Sequence, residues 1–214
     1  ISVCVVAILG CTHLGSCDPI HDLNLELENI NLNNGWDVGI HVDAAIGGFV
    51  APFLDQSLYQ LWDFRLSLVR SINLSGHKFG LVYPGLGWLL FRDKDYFQPN
   101  LRIQSNYLCG ISESFTVNFS RSSSLVIAQY FNFLHYGFQG YQKNIESCIT
   151  NTIYLSEMLL DTGLFEILSD YKMPVVVFTF REPLLINIEE FTKLLREKQW
   201  MLPYYKLSGE IDIT

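Results

Sequence analysis

Charge is what this chain has least of. Asp, Glu, Lys and Arg together make up 17% of its 214 residues, while hydrophobic residues make up 49%. That balance excludes a disordered chain, which combines low hydropathy with many charges. Positive charge is the scarcer sign: 14 Lys and Arg stand against 22 Asp and Glu, a formal net charge of −8. With no Lys/Arg cluster to offset it, this disfavours nucleic acid and anionic membranes as partners. Long hydrophobic runs are missing as well, since none approaches the ~18 residues that a membrane helix needs. The segment from Val3 to Leu9 has no positive stretch before it, so it reads as a buried strand rather than a signal-peptide core. Cysteine is sparse and odd in number (Cys4, Cys11, Cys17, Cys109 and Cys148). No Cys is spaced from another Cys or a His as metal ligands are, so reduced thiols, no metal and a cytoplasmic setting are expected. Two glycosylation sequons, Asn73-Leu74-Ser75 and Asn118-Phe119-Ser120, overlap stretches assigned below to a site, which favours the same setting. A starting methionine is also missing, and the chain is expected to lack the beginning of its gene product.

What is present is enough for one good-sized domain, or one domain and part of a second. A chain this apolar and this poor in charge is also expected to hide part of its surface in an oligomer. Val3 to Leu9 is a short continuous apolar run of the kind found in a fully buried parallel strand. Asp18-Pro19 then resembles a helix start, with Asp18 as N-cap. Leucines and isoleucines recur at helical spacing from Ile20 to Ile30, and Asn33-Asn34-Gly35 stops the helix. Asp37 to Asp43 is a second strand, followed by small residues where a backbone must approach something closely. Strand, helix, strand is the sequence form of a right-handed crossover in a parallel sheet, so the chain is predicted to be α/β.

Arg70 to Ser75 and Gly85 to Arg92 read as further strands, residues 93–110 as irregular, and Phe115 to Ser120 as an alternating stretch. Leu125 to Tyr141 predicts a long helix broken or bent near Gly137 and Gly140, with another running to Leu160. Beyond it come a strand over Pro174–Phe180, an amphipathic helix over Ile188–Trp200, and a loop leading into a strand. A domain boundary is expected within the long helices, dividing 1–145 from 146–214.

In parallel sheets ligands sit outside the carboxyl ends of the strands. Thr12, Asp43 and the loop from Ser75 to Lys78 each fall at such an end. Lys78 alone reads as a solvated loop residue, since lysines are rarely fully buried. A desolvated lysine, though, has its pKa lowered and can attack a carbonyl. Asp43 followed by Ala44-Ala45 and two glycines leaves a flat space beside a carboxylate. An amine and a carboxylate across such a space suit pyridoxal phosphate, which needs a lysine and an acidic partner for its ring nitrogen.

The ordered motifs then add a resemblance. His41-Val-Asp43-Ala-Ala45-Ile-Gly-Gly-Phe49, Trp62-Asp-Phe-Arg65, Ser71-Ile-Asn-Leu-Ser75-Gly-His77-Lys78-Phe-Gly80, Gly87-Trp88, Asn106-Tyr107-Leu108, Asn118-Phe-Ser120-Arg121 and Ile127-Ala-Gln129-Tyr130 resemble, in order, the pyridoxal-phosphate-dependent glutamate decarboxylases. The resemblance implies a fold type I large domain, a mostly parallel sheet flanked by helices, followed by the start of a small α+β C-terminal domain. It implies α-decarboxylation of L-glutamate to 4-aminobutanoate in a homodimer or higher homo-oligomer with shared active sites. Lys78, Asp43 and His77 are the implied catalytic residues, with Lys78 carrying the cofactor and Asp43 facing its ring nitrogen. Ala45 is implied to pack on the ring, Ser75 and His77 to contact its phosphate, Ser120 to reach a neighbouring subunit's phosphate, and Thr12 to lie near Asp43. Ile46 and Cys109 depart from the family pattern, at positions where a serine and a glycine are usual. The chain also resembles an internal fragment, so a non-catalytic partial chain and a decarboxylase of another amino acid both stay open.

Overall fold

A computed structural model of the chain describes residues 4–96, 99–106, 110, 112–114, 122–182, 186–207 and 211–213. Its centre is a four-stranded sheet in the order β1 (Cys4–Ile8), β2 (Gly39–Asp43), β3 (Val69–Ser75), β4 (Gly87–Phe91). β1, β2 and β3 run parallel, while β4 returns antiparallel to β3. The helix α1 (Ile20–Asn34) carries the chain from β1 across to β2. It stops where Gly35 donates its backbone N–H to Asn31 O, as the Asn-Asn-Gly sequence predicts.

The sheet has two chemically different faces. Register aligns Ala7 with Val42 and Val42 with Ile72, and these residues point into the hydrophobic core together with Leu9, Ile40 and Ala44. Ile20, Leu23 and Leu27 of α1 cover that face. On the opposite face register aligns Val6, His41 and Ser71 in one row and Ile8, Asp43 and Asn73 in the next. The expectation of a fully buried first strand is corrected here, because Val6 is 57% and Ile8 37% exposed. Among the described residues β1 pairs with β2 alone, and α1 covers the face that carries Ala7 and Leu9.

A second correction concerns Asp18. It does not cap α1, whose N-cap is Pro19 with no side-chain cap bond. Asp18 Oδ2 instead accepts from Ile8 N at 2.7 Å, and Asp18 N donates to Ile8 O at 2.9 Å. Pairing back to the end of β1 turns this carboxylate away from the helix N–H groups.

Two tight turns, Gly47–Phe49 and Ala51–Phe53, follow β2 and lie in its core. A Cβ at Gly47 would lie 2.5 Å from Leu9 Cγ and 2.6 Å from Leu9 O, a backbone atom that cannot step aside. Gly47→Ala is therefore expected to destabilise the complete protein by about 1–3 kcal/mol, the scale of overpacking. Urea denaturation reads this, and an unchanged midpoint would show that the contact with Leu9 is not close packed.

The main remaining elements among the described residues are helix α2 (Ser124–Asp161), α3 (Ile188–Glu197) and three short two-stranded ribbons. These ribbons pair β5 (Ile103–Ser105) with β6 (Ser112–Ser114), β7 (Phe165–Ile167) with β8 (Phe178–Phe180), and β9 (Tyr205–Leu207) with β10 (Ile211–Ile213). The strand expected over Pro174–Phe180 shortens to its last three residues, and its partner β7 has no counterpart in the sequence reading. Gly137 breaks α2, with φ 57° and ψ −172°, whereas Gly140 stays helical. Residue 145 lies inside the second half of α2. The alternating stretch from Phe115 to Ser120, with Arg121, lies outside the described residues.

Candidate active site

Three strand ends converge on one small cavity. It measures about 240 Å³ and is lined by Ile8, Gly10, Cys11, Thr12, His13, Asp43, Ala45, Ile46 and Lys78. The loop after β1 contributes Gly10 to His13, the end of β2 contributes Asp43, and the turn after β3 contributes Lys78. Because the three strands are parallel neighbours, their carboxyl ends are forced to the same edge, and residues far apart in sequence meet there. Gly10 makes the first turn possible. Its φ is +89°, and a Cβ there would stand 3.1 Å from Met173 Sδ and 3.2 Å from Ile46 Cβ.

Asp43 is held in a network that the sequence reading did not foresee. Ala45 N and Asn73 Nδ2 both donate to Asp43 Oδ1, at 3.1 and 2.9 Å. A carboxylate only accepts, so the Asn73 amide must turn its nitrogen to Asp43 and its oxygen to His41. Asn73 Oδ1 stands 2.8 Å from His41 Nε2, which is therefore the imidazole's donor nitrogen. His41 Nδ1 lies 2.8 Å from Ser71 Oγ. The residues come from adjacent rows of one sheet face, and the only signal in the sequence was the period-two spacing of Ser71, Asn73 and Ser75 beside His41 and Asp43. Asn73 Nδ2 is the atom a sequon would glycosylate, and here it is engaged with Asp43.

The expected site residues divide accordingly. Thr12, Asp43, Ala45 and Lys78 line the cavity together. Ser75 ends β3 and its N–H donates to Ala45 O at 3.3 Å, but neither it nor His77 is among the lining residues. His77 and Lys78 are both exposed, so the walls described here do not desolvate the lysine. Ser120 lies outside the described residues, as does Cys109. Ile46 is buried, packs in the core cluster and presents its Cβ and Cγ2 toward Gly10. Ile8, Cys11 and His13 are lining residues that sequence reasoning missed. His13 also meets the Tyr205 ring edge-on at 4.7 Å, joining the cavity loop to β9.

An amine, a carboxylate and a methyl-sized side chain around one cavity form a set that fits pyridoxal phosphate. Among the described residues both hydrogen bonds to the Asp43 carboxylate fall on Oδ1, which leaves Oδ2 to meet a protonated ring nitrogen. Ala45 borders the cavity with nothing larger than a methyl group, and Lys78 supplies the amine. At about 240 Å³ the cavity lies below the ~300–1,000 Å³ usual for ligand pockets.

Comparison with known proteins agrees with this chemistry. A family model described as the pyridoxal-dependent decarboxylase conserved domain matches residues 1–181. Over 210 residues the chain is 43% identical to glutamate decarboxylase 5 of Arabidopsis thaliana, covering 98% of this chain and 42% of that protein. It is 41% identical over 211 residues to glutamate decarboxylase beta of Listeria monocytogenes, covering 97% of this chain and 45% of the relative. The solved glutamate decarboxylase of Lactobacillus brevis superposes with a TM-score of 0.91 at 37% identity, covering 97% of this chain and 48% of that one. A sphingosine-1-phosphate lyase of Burkholderia pseudomallei shares the fold, with a TM-score of 0.77 at 24% identity. The chain thus spans about half the length of the relatives it matches. With the family model matched over all three strand ends and over both Asp43 and Lys78, the chain belongs to the pyridoxal-dependent decarboxylase family.

Proposed function

We propose that the protein carrying this chain is a carboxy-lyase that converts L-glutamate to 4-aminobutanoate and carbon dioxide. The observation that carries this reading is Asp43 and Lys78 lining one cavity at the carboxyl ends of adjacent parallel strands. The choice of glutamate is supported by relatives in a plant and a bacterium, both named glutamate decarboxylase. Pyridoxal phosphate, when bound, supplies an electron sink for the pair of electrons left on the α-carbon as carbon dioxide departs. Lys78 Nζ is the amine that would hold the cofactor covalently at this cavity. Asp43 Oδ2 keeps a proton on the ring nitrogen, since a nearby anion favours the charged form. Asn73 and the Ala45 N–H hold Asp43 Oδ1, which fixes the orientation of the carboxylate in the cavity. Ala45 borders one ring face, Thr12 edges the site beside Asp43, and Ser75, His77 and Ser120 are assigned to phosphate groups.

The active unit on this reading is a homo-oligomer whose subunits share sites, with residues 146–214 as the entry to the small domain. Exposed Ile127, Tyr130, Phe131, Leu134 and Phe138 on α2 support association. A cytoplasmic setting is supported by Cys4, Cys11, Cys17 and Cys148, all of which are free thiols. Among the described residues no helix is long and apolar enough to cross a membrane. The exposure of Lys78 favours a second reading for the 214-residue chain by itself, that of a partial site with little or no turnover. Turnover comparable to the complete enzyme's would remove it.

Borohydride reduction of the complete protein with pyridoxal phosphate, followed by mass mapping, tests the assignment. The pyridoxyl group is expected on Lys78, and its appearance on another lysine would overturn the proposal.

A further inference from the structure

Behind the Lys78 turn lies a second polar network, made by α2. Gln129 Nε2 donates to Gly80 O at 2.7 Å, and Tyr141 Oη donates to the same oxygen at 3.0 Å. The two side chains also touch each other, with Gln129 Nε2 3.1 Å from Tyr141 Oη. Asn132 Nδ2 donates to the next carbonyl, Leu81 O, at 2.7 Å. Gln129 is 0% and Tyr141 2% exposed, so both are enclosed in the protein.

This convergence requires the break in α2. In a straight helix residues twelve apart are separated by about 18 Å along the axis. Gly137, in a left-handed conformation, turns the second half of the helix back so that Tyr141 meets Gln129 over one carbonyl. The turn itself is built to receive the amide. A Cβ at Gly76 would come within 2.8 Å of Gln129 Oε1, and one at Gly80 within 3.0 Å. Leu81 closes the turn with φ 64°, a left-handed backbone that a leucine keeps only when its surroundings determine it. Three donors from α2 thus grip two consecutive carbonyls beginning two residues after Lys78, and none of these bonds is to Lys78 itself.

We propose that Gln129 is a positioning residue, which with Tyr141 and Asn132 clamps the Gly76–Leu81 turn and so sets where the Lys78 amine meets the cavity. The inference rests on Lys78 being the cofactor-bearing lysine. Gln129→Met keeps the length and volume of the side chain and removes its donor, leaving Gly80 O with Tyr141 alone. Two measurements on the complete protein read the result: amide hydrogen exchange across residues 76–82 without cofactor, and the pyridoxal phosphate concentration that half-saturates Lys78 in borohydride trapping. Both are expected to rise on the order of tenfold, the scale of one buried hydrogen bond lost. Tyr141→Phe, which removes one hydroxyl, is expected to raise both about threefold, and it carries the test should Gln129→Met fail to fold. Ile145→Val trims one methyl group from the buried side of the same helix without removing any of the hydrogen bonds to the turn carbonyls, and is expected to leave exchange at 76–82 unchanged. Wild-type trapping on another lysine overturns the Lys78 assignment, and the exchange arm then still judges the clamp. Trapping on Lys78 in the wild type, with both readouts unmoved in the variants, overturns the clamp, as does equal loosening by Ile145→Val.

Discussion

Lys78→Ala in the complete protein is expected to lower turnover by on the order of 10⁴-fold or more, the scale of a positioned reacting group. The physical reason is that, among the described residues, no other amine lines the cavity. Lys78 is the single lysine among the cavity's lining residues, which otherwise offer one carboxylate, one thiol, one imidazole and one hydroxyl. The side chain is exposed in this chain, so its truncation leaves no buried hole and the variant should denature at the wild-type urea concentration. Added pyridoxal phosphate should then bind without being trapped by borohydride at residue 78. Near-normal turnover in the variant would refute the role given to this lysine. A large loss of stability would show instead that it is a structural residue.

Asp43→Asn is the second large effect, and the structure explains why this variant should fold. Among the described residues both hydrogen bonds to the Asp43 carboxylate fall on Oδ1. An asparagine amide oxygen can sit in that position and keep accepting from Ala45 N and Asn73 Nδ2. Its NH₂ group then replaces Oδ2, turning an acceptor into a donor where the ring nitrogen needs an anion. Cofactor binding should persist while kcat falls about 10²–10³-fold, as when one oriented electrostatic group is removed from an active site. Trapping at Lys78 separates the two properties. Retained trapping with lost turnover supports the assignment, whereas near-wild-type kcat would show that Asp43 does not stabilise the charged ring.

These two expectations draw on different sources. The Lys78 assignment was legible in the sequence, because a His-Lys pair between glycines at a strand end, followed across ordered motifs, needs no coordinates to be recognised. The case for Asp43→Asn folding was not. It depends on which carboxylate oxygen is occupied, and that follows from cross-strand register between β2 and β3.

The sequence alone determined the parallel order of strands around α1, the arrival of Thr12, Asp43 and Lys78 at one sheet edge, and a break in α2 near Gly137 and Gly140, of which the structure takes Gly137. Local rules set each of these: the apolar run before Gly10, the Asn-Asn-Gly stop, and a glycine inside a helical pattern. Only the tertiary structure decided the rest. It turned Asp18 to β1 rather than α1, exposed Val6 and Ile8 on a strand expected to be buried, left Ser75 and His77 off the cavity lining, and brought Gln129 and Tyr141 together on Gly80 O. Each of those outcomes depends on which face an element presents and which distant carbonyl lies opposite it. Side-chain spacing along the chain carries no record of that, because hydrogen bonds between elements form only after the elements have packed.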